Sequence, residues 1–424
     1  MTYENNRLHV PNDVVIPVIA GDGIGPEIWR GTKQVLDVLM DTVYEGRKRI
    51  KWLPVLAGEL AFKKTGKALP KETIDAIKTH MVALKGPLKT PIGGGIRSLN
   101  VSLRKTFDLF ACVRPIDWFE GLPTPVKYPE FVDMVIFREN TEDIYTGIEW
   151  DMSDETCTRL KQVLKTDFGV KHIPNEETAS IGIKPVSKKG SQRLVEAAIT
   201  YAKKNKRKRV TLVHKGNIMK FTEGRFRDWG YEIAVEAFGD DVFCMKRYES
   251  IKKDKGEKAA DLALKCAEEA GAIIIDECIT DAFFQNALIN PKAFDVIATT
   301  NLNGDFISDA LAAQIGGVGL APGGNINYQT GYAIFEATHG TAPAIAGKGI
   351  ANPSAMILSA YMCLNYIRFT KAASLLLEAL KQAFREGHRT IDLVADSKDA
   401  LSTQAFCDTL CEFIKTKHSQ VSAL

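Results

Sequence analysis

Two carboxylates are spaced to hold a metal ion at the junction of a predicted strand and a predicted helix. Asp305 and Asp309 begin a periodic apolar run that follows the strand-like segment 294–300. On a helix this spacing places both side chains on one face. Carboxylate oxygens suit a hard cation such as Mg2+ or Mn2+, and open α/β sheets bind ligands where strands end. Taken alone, the pair is better explained as an acidic helix N-terminus that offsets the helix dipole, and the other motifs reverse this preference.

Three arginines indicate a small polyanionic substrate. Arg104, Arg114 and Arg138 follow a glycine-rich segment or adjoin predicted strands. Guanidinium groups match carboxylates with two hydrogen bonds at once, although any single arginine could instead form a surface ion pair. Ser98 is predicted to be a helix N-cap, where a serine can also bind a substrate carboxylate.

Other candidate groups stand at the ends of predicted strands. Lys215 follows an apolar strand and is a candidate base, because a lysine at such a position can have an adjusted pKa. Asp281 follows the strand-like segment 272–275 and could supply a third metal carboxylate. Tyr145, taken alone, is in a position where an aromatic residue is more often part of the core than a catalyst.

The segments that position these side chains alternate between strand and helix patterns. Strands are predicted at 14–20, 81–84, 109–113, 133–137, 210–213, 272–275 and 295–299, with helices from Pro26, at 191–203 and at 353–369. This alternation predicts an α/β fold. The glycine loop 21–25 has GxGxG spacing, which fits a tight turn as well as a dinucleotide-binding loop.

Composition excludes several classes of partner. The chain has 424 residues, 45% of them hydrophobic, and a formal net charge of only +3, so we expect no nucleic acid and no membrane as partner. The basic run 203–209 is interpreted as a solvated helix end. Eight scattered cysteines and a polar N-terminal segment favour reduced thiols in a cytoplasmic protein.

Long motifs give the chain a specific resemblance. It contains GDGIGPE, GGGIRSLNVSLR, MVIFRENTEDIYTGIEW, IGIKP, TLVHKGNIMKFTEG, NLNGDFISDALAAQIGG, FEATHGTAP and NPSAMILSA. Nearly end to end, it resembles the isocitrate/isopropylmalate dehydrogenase family, in particular its bacterial and archaeal homodimeric isocitrate dehydrogenases. The resemblance implies metal-dependent oxidative decarboxylation of isocitrate to 2-oxoglutarate and CO2. It also implies a large α/β domain (1–109 and 317–424), a small α/β domain (110–142 and 188–316) and a dimerising clasp (143–187).

The resemblance also assigns residues to the site. It implies Tyr145 and Lys215 as catalytic residues and Asp281, Asp305 and Asp309 as metal ligands. The implied substrate-binding residues are Ser98, Asn100, Arg104, Arg114 and Arg138. The implied cofactor-binding residues are Lys85, Thr90, Glu336, His339, Gly340, Ala344, Ile345 and Asn352. In the family, the lysine and the first aspartate come from the partner subunit, so a homodimer with shared active sites is expected.

Four positions lead us to predict NAD as the main cofactor, with NADP as the alternative. Members that use NADP carry Lys-Tyr after HGTAP and later a Tyr and an Arg, which bind the 2′-phosphate. Here the corresponding residues are Ala344, Ile345, Ile391 and Ala395. An unpaired phosphate should cost several kcal/mol. However, the aspartate that NAD-using relatives place at position 344 is also missing.

Two alternatives are open within this resemblance. The chain could be a 3-isopropylmalate or homoisocitrate dehydrogenase, but Ser98 and Asn100 argue against both. It could be a non-catalytic regulatory subunit of a heteromeric isocitrate dehydrogenase, yet such subunits lose metal or base residues and none is lost here.

Overall fold

A large mixed sheet forms the centre of the protein. The computed structural model describes residues 1–5, 7–89 and 98–422. The strands of the protein, inside and outside this sheet, are β1 (Thr2–Glu4), β2 (Arg7–His9), β3 (Asp13–Ile19), β4 (Arg49–Pro54), β5 (Val82–Lys85), β6 (Ala111–Asp117), β7 (Asp133–Glu139), β8 (Glu149–Trp150), β9 (Ile181–Gly182), β10 (Arg209–His214), β11 (Val242–Cys244), β12 (Ile273–Ile279), β13 (Val296–Thr299), β14 (Pro322–Ile326) and β15 (Ala333–Ala337).

Helices cover the sheet. They are α1 (Gly25–Tyr44), α2 (Glu59–Thr65), α3 (Lys71–His80), α4 (Leu99–Thr106), α5 (Glu155–Thr166), α6 (Lys188–Lys204), α7 (Glu223–Phe238), α8 (Met245–Lys255), α9 (Glu257–Glu269), α10 (Thr280–Ile289), α11 (Asn301–Gln314), α12 (Ser354–Tyr366), α13 (Thr370–Arg385) and α14 (Thr403–Ser422). Within the described ranges, no helix is long and apolar enough to cross a membrane.

The sheet contains two groups of parallel strands that run in opposite directions. Its order is β11-β12-β10-β13-β7-β6-β14-β15-β5-β3-β4. β6 pairs antiparallel with both β7 and β14, and β14 pairs antiparallel with β15. The remaining neighbours are parallel. The sheet and its helices confirm the predicted α/β fold, whereas the division into two domains and a clasp stays a prediction.

Burial explains why these segments adopt these structures. The four residues from Met134 to Phe137 are all buried, as expected for a strand covered on both faces. In α1, Ile28, Val35 and Leu39 keep helical spacing and are fully buried, while Pro26 lies in the first turn as predicted. α12 is buried on most sides, which fits its position against β14 and β15.

The glycine loop between β3 and α1 is a tight turn. Gly21 and Gly23 have φ values of +89° and +59°, a region that favours glycine. The Ile24 amide donates to the Thr341 carbonyl at 3.0 Å, and the Asp22 amide donates to the Pro87 carbonyl at 2.7 Å. The loop therefore fixes the position of the HGTAP segment.

Candidate active site

The first cluster forms where β13 ends and α11 begins, as the sequence predicted. β7 lies beside β13 with Arg138 opposite Thr299. Arg138, only 1% exposed, forms an ion pair with Asp305, and the Tyr145 hydroxyl donates to the other oxygen of that carboxylate at 2.8 Å. The sheet thus brings an arginine, a tyrosine and a carboxylate from three segments into contact.

A second arginine reaches both carboxylates of α11. The Nη1 atom of Arg114 lies 3.8 Å from Asp305 and 3.6 Å from Asp309. The same nitrogen donates to the Ser308 hydroxyl at 2.5 Å. Arg114 is 5% exposed, so its charge acts through a poorly hydrated environment. The two aspartates do share one face of a helix, which confirms the predicted geometry.

Gly304 gives Arg138 room to lie across the start of α11. A Cβ atom at position 304 would stand 2.5 Å from the Arg138 Cγ atom, which is too close. Asn301, in the first turn of the helix, accepts from the Arg138 Nε atom at 2.9 Å. The guanidinium group also lies 4.9 Å from the centroid of the Tyr145 ring. The glycine, the amide and the ring together fix the arginine.

Burial and neighbouring charges shift the pKa values of Asp305, Asp309 and Tyr145 to different extents. Burial raises the pKa of Asp305, but the charges of Arg138 and Arg114 outweigh it, so this pKa lies below its ordinary value. Burial raises the pKa of Asp309 more than Arg114 lowers it. Burial also raises the pKa of Tyr145. At neutral pH Asp305 is therefore ionised, while Tyr145 keeps a proton that it can donate.

The second cluster is a buried charge network between β5, β15 and α4. Lys85 Nζ lies 2.5 Å from Glu336, its register partner on the parallel strand, and Arg104 Nη2 lies 3.2 Å from the same carboxylate. Asn325 donates to Glu336 at 2.7 Å. Burial raises the pKa of Glu336, but Lys85 and Arg104 lower it far more, so the carboxylate stays ionised.

Several predicted site residues have buried polar atoms that no group in the described chain satisfies. These atoms are Asn100 Oδ1, Arg104 Nε, Arg114 Nε and His339 Nε2. Most buried polar atoms in native proteins are hydrogen-bonded, so such atoms are free to bind a ligand. Ser98 is at the N-cap position of α4, as predicted. Asn100, Arg104, Arg114 and His339 therefore keep hydrogen-bonding capacity in reserve.

The cofactor candidates follow β15 in a loop that borders the glycine turn. Burial lowers the pKa of His339, so its ring is neutral at neutral pH. Asn352 donates to Asp392 at 2.9 Å and accepts from the Ser354 amide at 2.9 Å. Gly340 and Ala344 are exposed, and Ile345 is partly buried. Thr90 lies outside the described residues.

Lys215 and Asp281 form a pair of their own. Lys215 Nζ lies 2.5 Å from Asp281, and this hydrogen bond lowers the pKa of the carboxyl. Within the described ranges no hydrogen bond or ion pair joins these two side chains to Asp305 or Tyr145. No group of three His, Cys, Asp or Glu residues in this part of the chain could hold a metal ion. A single protomer thus brings together two of the three predicted metal carboxylates.

Sequence reasoning missed four residues that organise the site. Asn301 and Ser308 hold the arginines, Asn325 binds Glu336, and buried Glu223 accepts from the Lys215 amide at 2.5 Å and from Asn303 at 2.9 Å. Their positions within the NLNGDFISDA, GGNIN and FTEG segments were the available signal. Polar residues inside otherwise apolar elements need buried partners.

Comparison with known proteins first defines the class. The fold matches the crystal structure of isocitrate dehydrogenase from Methylococcus capsulatus with a TM-score of 0.75 and 36% identity, covering 95% of this chain and 99% of that one. It matches the TT0538 protein from Thermus thermophilus with a TM-score of 0.76 and 32% identity, covering 99% of this chain and 73% of that one. The molecule is therefore an α/β protein of dehydrogenase type.

The chain belongs to the isocitrate/isopropylmalate dehydrogenase family, whose model matches residues 15–410. It is 52% identical over 417 residues to isocitrate dehydrogenase (NADP) from Staphylococcus aureus, covering 98% of this chain and 99% of that protein. It is 50% identical over 415 residues to isocitrate dehydrogenase (NADP) from Streptococcus mutans, with the same coverage. The predicted family is confirmed.

These relatives show that the prediction of NAD as the main cofactor is wrong, because proteins 50–52% identical are named for NADP. The prediction of NAD assumed that the 2′-phosphate would be an unpaired charge in a dehydrated site. Ala344 and Ile391 are exposed, so a phosphate near them would keep much of its hydration. Two cations, Lys348 and Arg389, also stand close in sequence to these positions.

Proposed function

We propose that the protein catalyses the oxidative decarboxylation of isocitrate to 2-oxoglutarate and CO2, with reduction of NADP. The observation that carries this proposal is the convergence of buried arginines on paired carboxylates. Arg114 and Arg138 face Asp305, and Arg104 and Arg114 each retain a buried Nε atom without a partner. A tricarboxylate needs several such donors, because burying its charges unpaired would be costly.

Two residues support isocitrate rather than isopropylmalate or homoisocitrate. Ser98 is the N-cap residue of α4, and Asn100 stands one turn before Arg104 on the same helix. The buried Asn100 amide oxygen has no partner in the described chain, which is consistent with an amide that contacts a polar ligand. An apolar substrate branch would leave this amide unsatisfied.

The carboxylates of α11 suit a divalent cation such as Mg2+ or Mn2+. Asp305 and Asp309 offer oxygen donors one turn apart, and the partner subunit's Asp281 would supply the third. A bound cation supplies Lewis-acid polarisation of the substrate hydroxyl and its neighbouring carboxylate. Asp305 must exchange its ion pair with Arg138 for this role, and the substrate carboxylates would then take over the arginine.

The protein's own residues would move the protons. Lys215 would accept the hydroxyl proton while the hydride leaves for the nicotinamide ring. Tyr145 would protonate the substrate carbon after CO2 leaves, and its raised pKa keeps that proton available. The cofactor would lie along the loop after β15, where the unpartnered Nε2 atom of His339 and the exposed backbone at Gly340 can face it.

We further propose a homodimer in which Lys215 and Asp281 complete the partner's site. Exposed apolar side chains flank both residues: Ile218 and Phe221 are 70% and 81% exposed, and Leu288 and Ile289 are 58% and 71% exposed. Large exposed apolar groups of this kind mark protein interfaces.

The eight cysteines carry no disulfide, which is consistent with the reducing cytoplasm.

Steady-state kinetics with isocitrate test the activity. Rates should be measured with NADP and NAD side by side, with and without Mg2+, and with 3-isopropylmalate as the alternative substrate. We expect turnover of isocitrate with NADP that depends on the divalent cation. Turnover of 3-isopropylmalate in preference to isocitrate would overturn the substrate assignment.

Subunit exchange tests the shared site. Lys215→Met and Arg104→Ala protomers should each be inactive as homodimers. Mixed dimers should regain activity, because one of their two sites then receives both wild-type residues. If confirmed mixed dimers stayed inactive, Lys215 would have to act within its own protomer.

A further inference from the structure

A cationic groove lies where the end of α1 meets the start of α13. Its main pocket has a volume of about 360 Å³, and an adjoining pocket of about 210 Å³ shares Lys48 and Arg368 with it. The main pocket is lined by Arg47, Lys48, Arg368 and Lys371 and by no acidic side chain. None of these residues belongs to the clusters around Asp305 or Glu336. The groove is therefore a second concentration of positive charge.

Most of this charge has no counter-ion in the part of the chain that the structure describes. Within the described residues, Lys48, Arg368 and Lys371 form no ion pair, and Arg47 only approaches the exposed Glu45, at 3.5 Å. Lys48 lies over the rings of Tyr44 and Phe369, 5.3 Å and 4.6 Å from their centroids. This arrangement holds the lysine in place beside the pocket. With a net charge of only +3 over the whole chain, four cations around one pocket are a local feature.

The first turn of α13 adds hydrogen-bond donors to the same pocket. Phe369 is the N-cap residue and offers no side-chain acceptor to the helix amides. Thr370 and Lys371, the first two residues of the helix, line the pocket. The N-terminus of a helix attracts anions through its free amides and its dipole, and phosphate is the group such sites commonly bind.

Arg368 occupies a backbone position that normally favours glycine. Its φ is +60°, and the Phe369 amide donates to the Leu364 carbonyl at 2.8 Å, so it ends α12 in the left-handed cap conformation. An arginine there is strained relative to glycine, and its side chain lines both pockets. Such strain motivates a functional hypothesis for the side chain, which the charge of the groove then supports.

We propose that this groove is a binding site for a small oligophosphate anion, separate from the active site. The cations would neutralise the phosphate charges, and the amides of Thr370 and Lys371 at the start of α13 would bind one terminal phosphate. The pocket is large enough for a chain of two or three phosphates. The proposal does not depend on the reaction that the protein catalyses.

Calorimetric titration with tripolyphosphate tests the proposal. The wild type should bind it in the groove and also in the arginine-rich active site. Arg104→Gln should weaken only the active-site component. Arg368→Gly combined with Lys371→Gln should weaken the groove component by about tenfold or more for each lost charged contact. Lys253→Gln combined with Lys255→Gln, on exposed positions of α8, is the control for a simple change of net charge.

The backbone conformation at position 368 allows a loss of anion binding to be distinguished from a loss of folding. Glycine suits its φ, so the melting temperature of the Arg368→Gly variant should equal or exceed that of the wild type while anion binding falls. Arg368→Asn provides a second variant that tolerates the same conformation. Unchanged titration curves for folded variants at positions 368 and 371 would overturn the proposal. An equal loss in the α8 control would also overturn it, because attraction to net charge would then explain the binding.

Discussion

Glu336→Gln should destabilise the protein far more than the loss of an exposed carboxylate. Glu336 is the common partner of Lys85 and Arg104, which are 3% and 8% exposed. Removing one member of a buried ion network leaves its partners charged and poorly hydrated, at a cost of about 3–5 kcal/mol. With an unfolding entropy of roughly 2.1 cal/mol/K per residue over 424 residues, this loss corresponds to a fall in Tm of about 3–6 °C.

An exposed ion pair supplies the matched control. Glu59 forms a 2.7 Å pair with Lys89, and both side chains are about half exposed. Glu59→Gln makes the same chemical change, yet it should lower the Tm by no more than about 1 °C, because exposed ion pairs contribute little to stability. Differential scanning calorimetry of the wild type and both variants, without ligands, measures the difference.

The pH dependence of this effect has a definite sign. The pKa of Glu336 in the folded protein lies below its ordinary value of 4.5, so its contribution to stability is fully present above pH 4.5 and is lost as pH falls towards the folded pKa. The deficit of Glu336→Gln should therefore be constant between pH 8 and pH 5. A Tm within about 1 °C of the Glu59→Gln value at pH 7 would refute the view that the network is buried and tightly coupled.

Three further perturbations address the proposed active site. Asp305→Asn should abolish turnover at ordinary Mg2+ concentrations and lower the Tm, because Arg138 loses its anionic partner; near-normal rates with a folded circular dichroism spectrum would contradict the metal assignment. Ser98→Glu should raise the isocitrate KM by orders of magnitude and change the NADP KM little, and an equal rise in both would place Ser98 away from the substrate. Burial lowers the pKa of His339, so the folded state resists protonation and loses stability as pH falls below 6.5. His339→Gln should accordingly flatten the dependence of the Tm on pH between 7 and 5, and an unchanged slope would exclude His339 as its source.

The sequence predicted the elements of the fold well where burial is continuous. The strand predicted at 133–137 is β7, and the strand at 210–213 is the centre of β10, because runs buried on both faces carry few polar residues. The helix predicted at 353–369 ends earlier, at Tyr366. Arg368 adopts the left-handed conformation there, and no glycine signalled that end of the helix.

Pairings across the chain could not be predicted from local patterns. The contact of Arg138 with Asp305 joins residues 167 positions apart, and it depends on β7 lying beside β13. The roles of Asn301 and Ser308 follow from the same strand order. The cofactor prediction failed for a related reason: residue types were compared position by position, whereas exposure of Ala344 and Ile391 determines what an unpaired phosphate costs.

Two glycines of the site, Gly304 and Gly340, would resist substitution for different reasons. At position 304 a single methyl group would collide with the Arg138 side chain. If a library of variants at this position were selected for folding alone, only glycine should be recovered. At position 340 no atom of the described residues lies within 4 Å of the place that an alanine methyl group would occupy, so alanine should fold normally. Any intolerance at position 340 would have to come from a bound ligand. One selection should score soluble protein, and a parallel selection should score growth that requires the enzyme's activity. Comparing the two would separate substitutions that prevent folding from those that only block ligand binding.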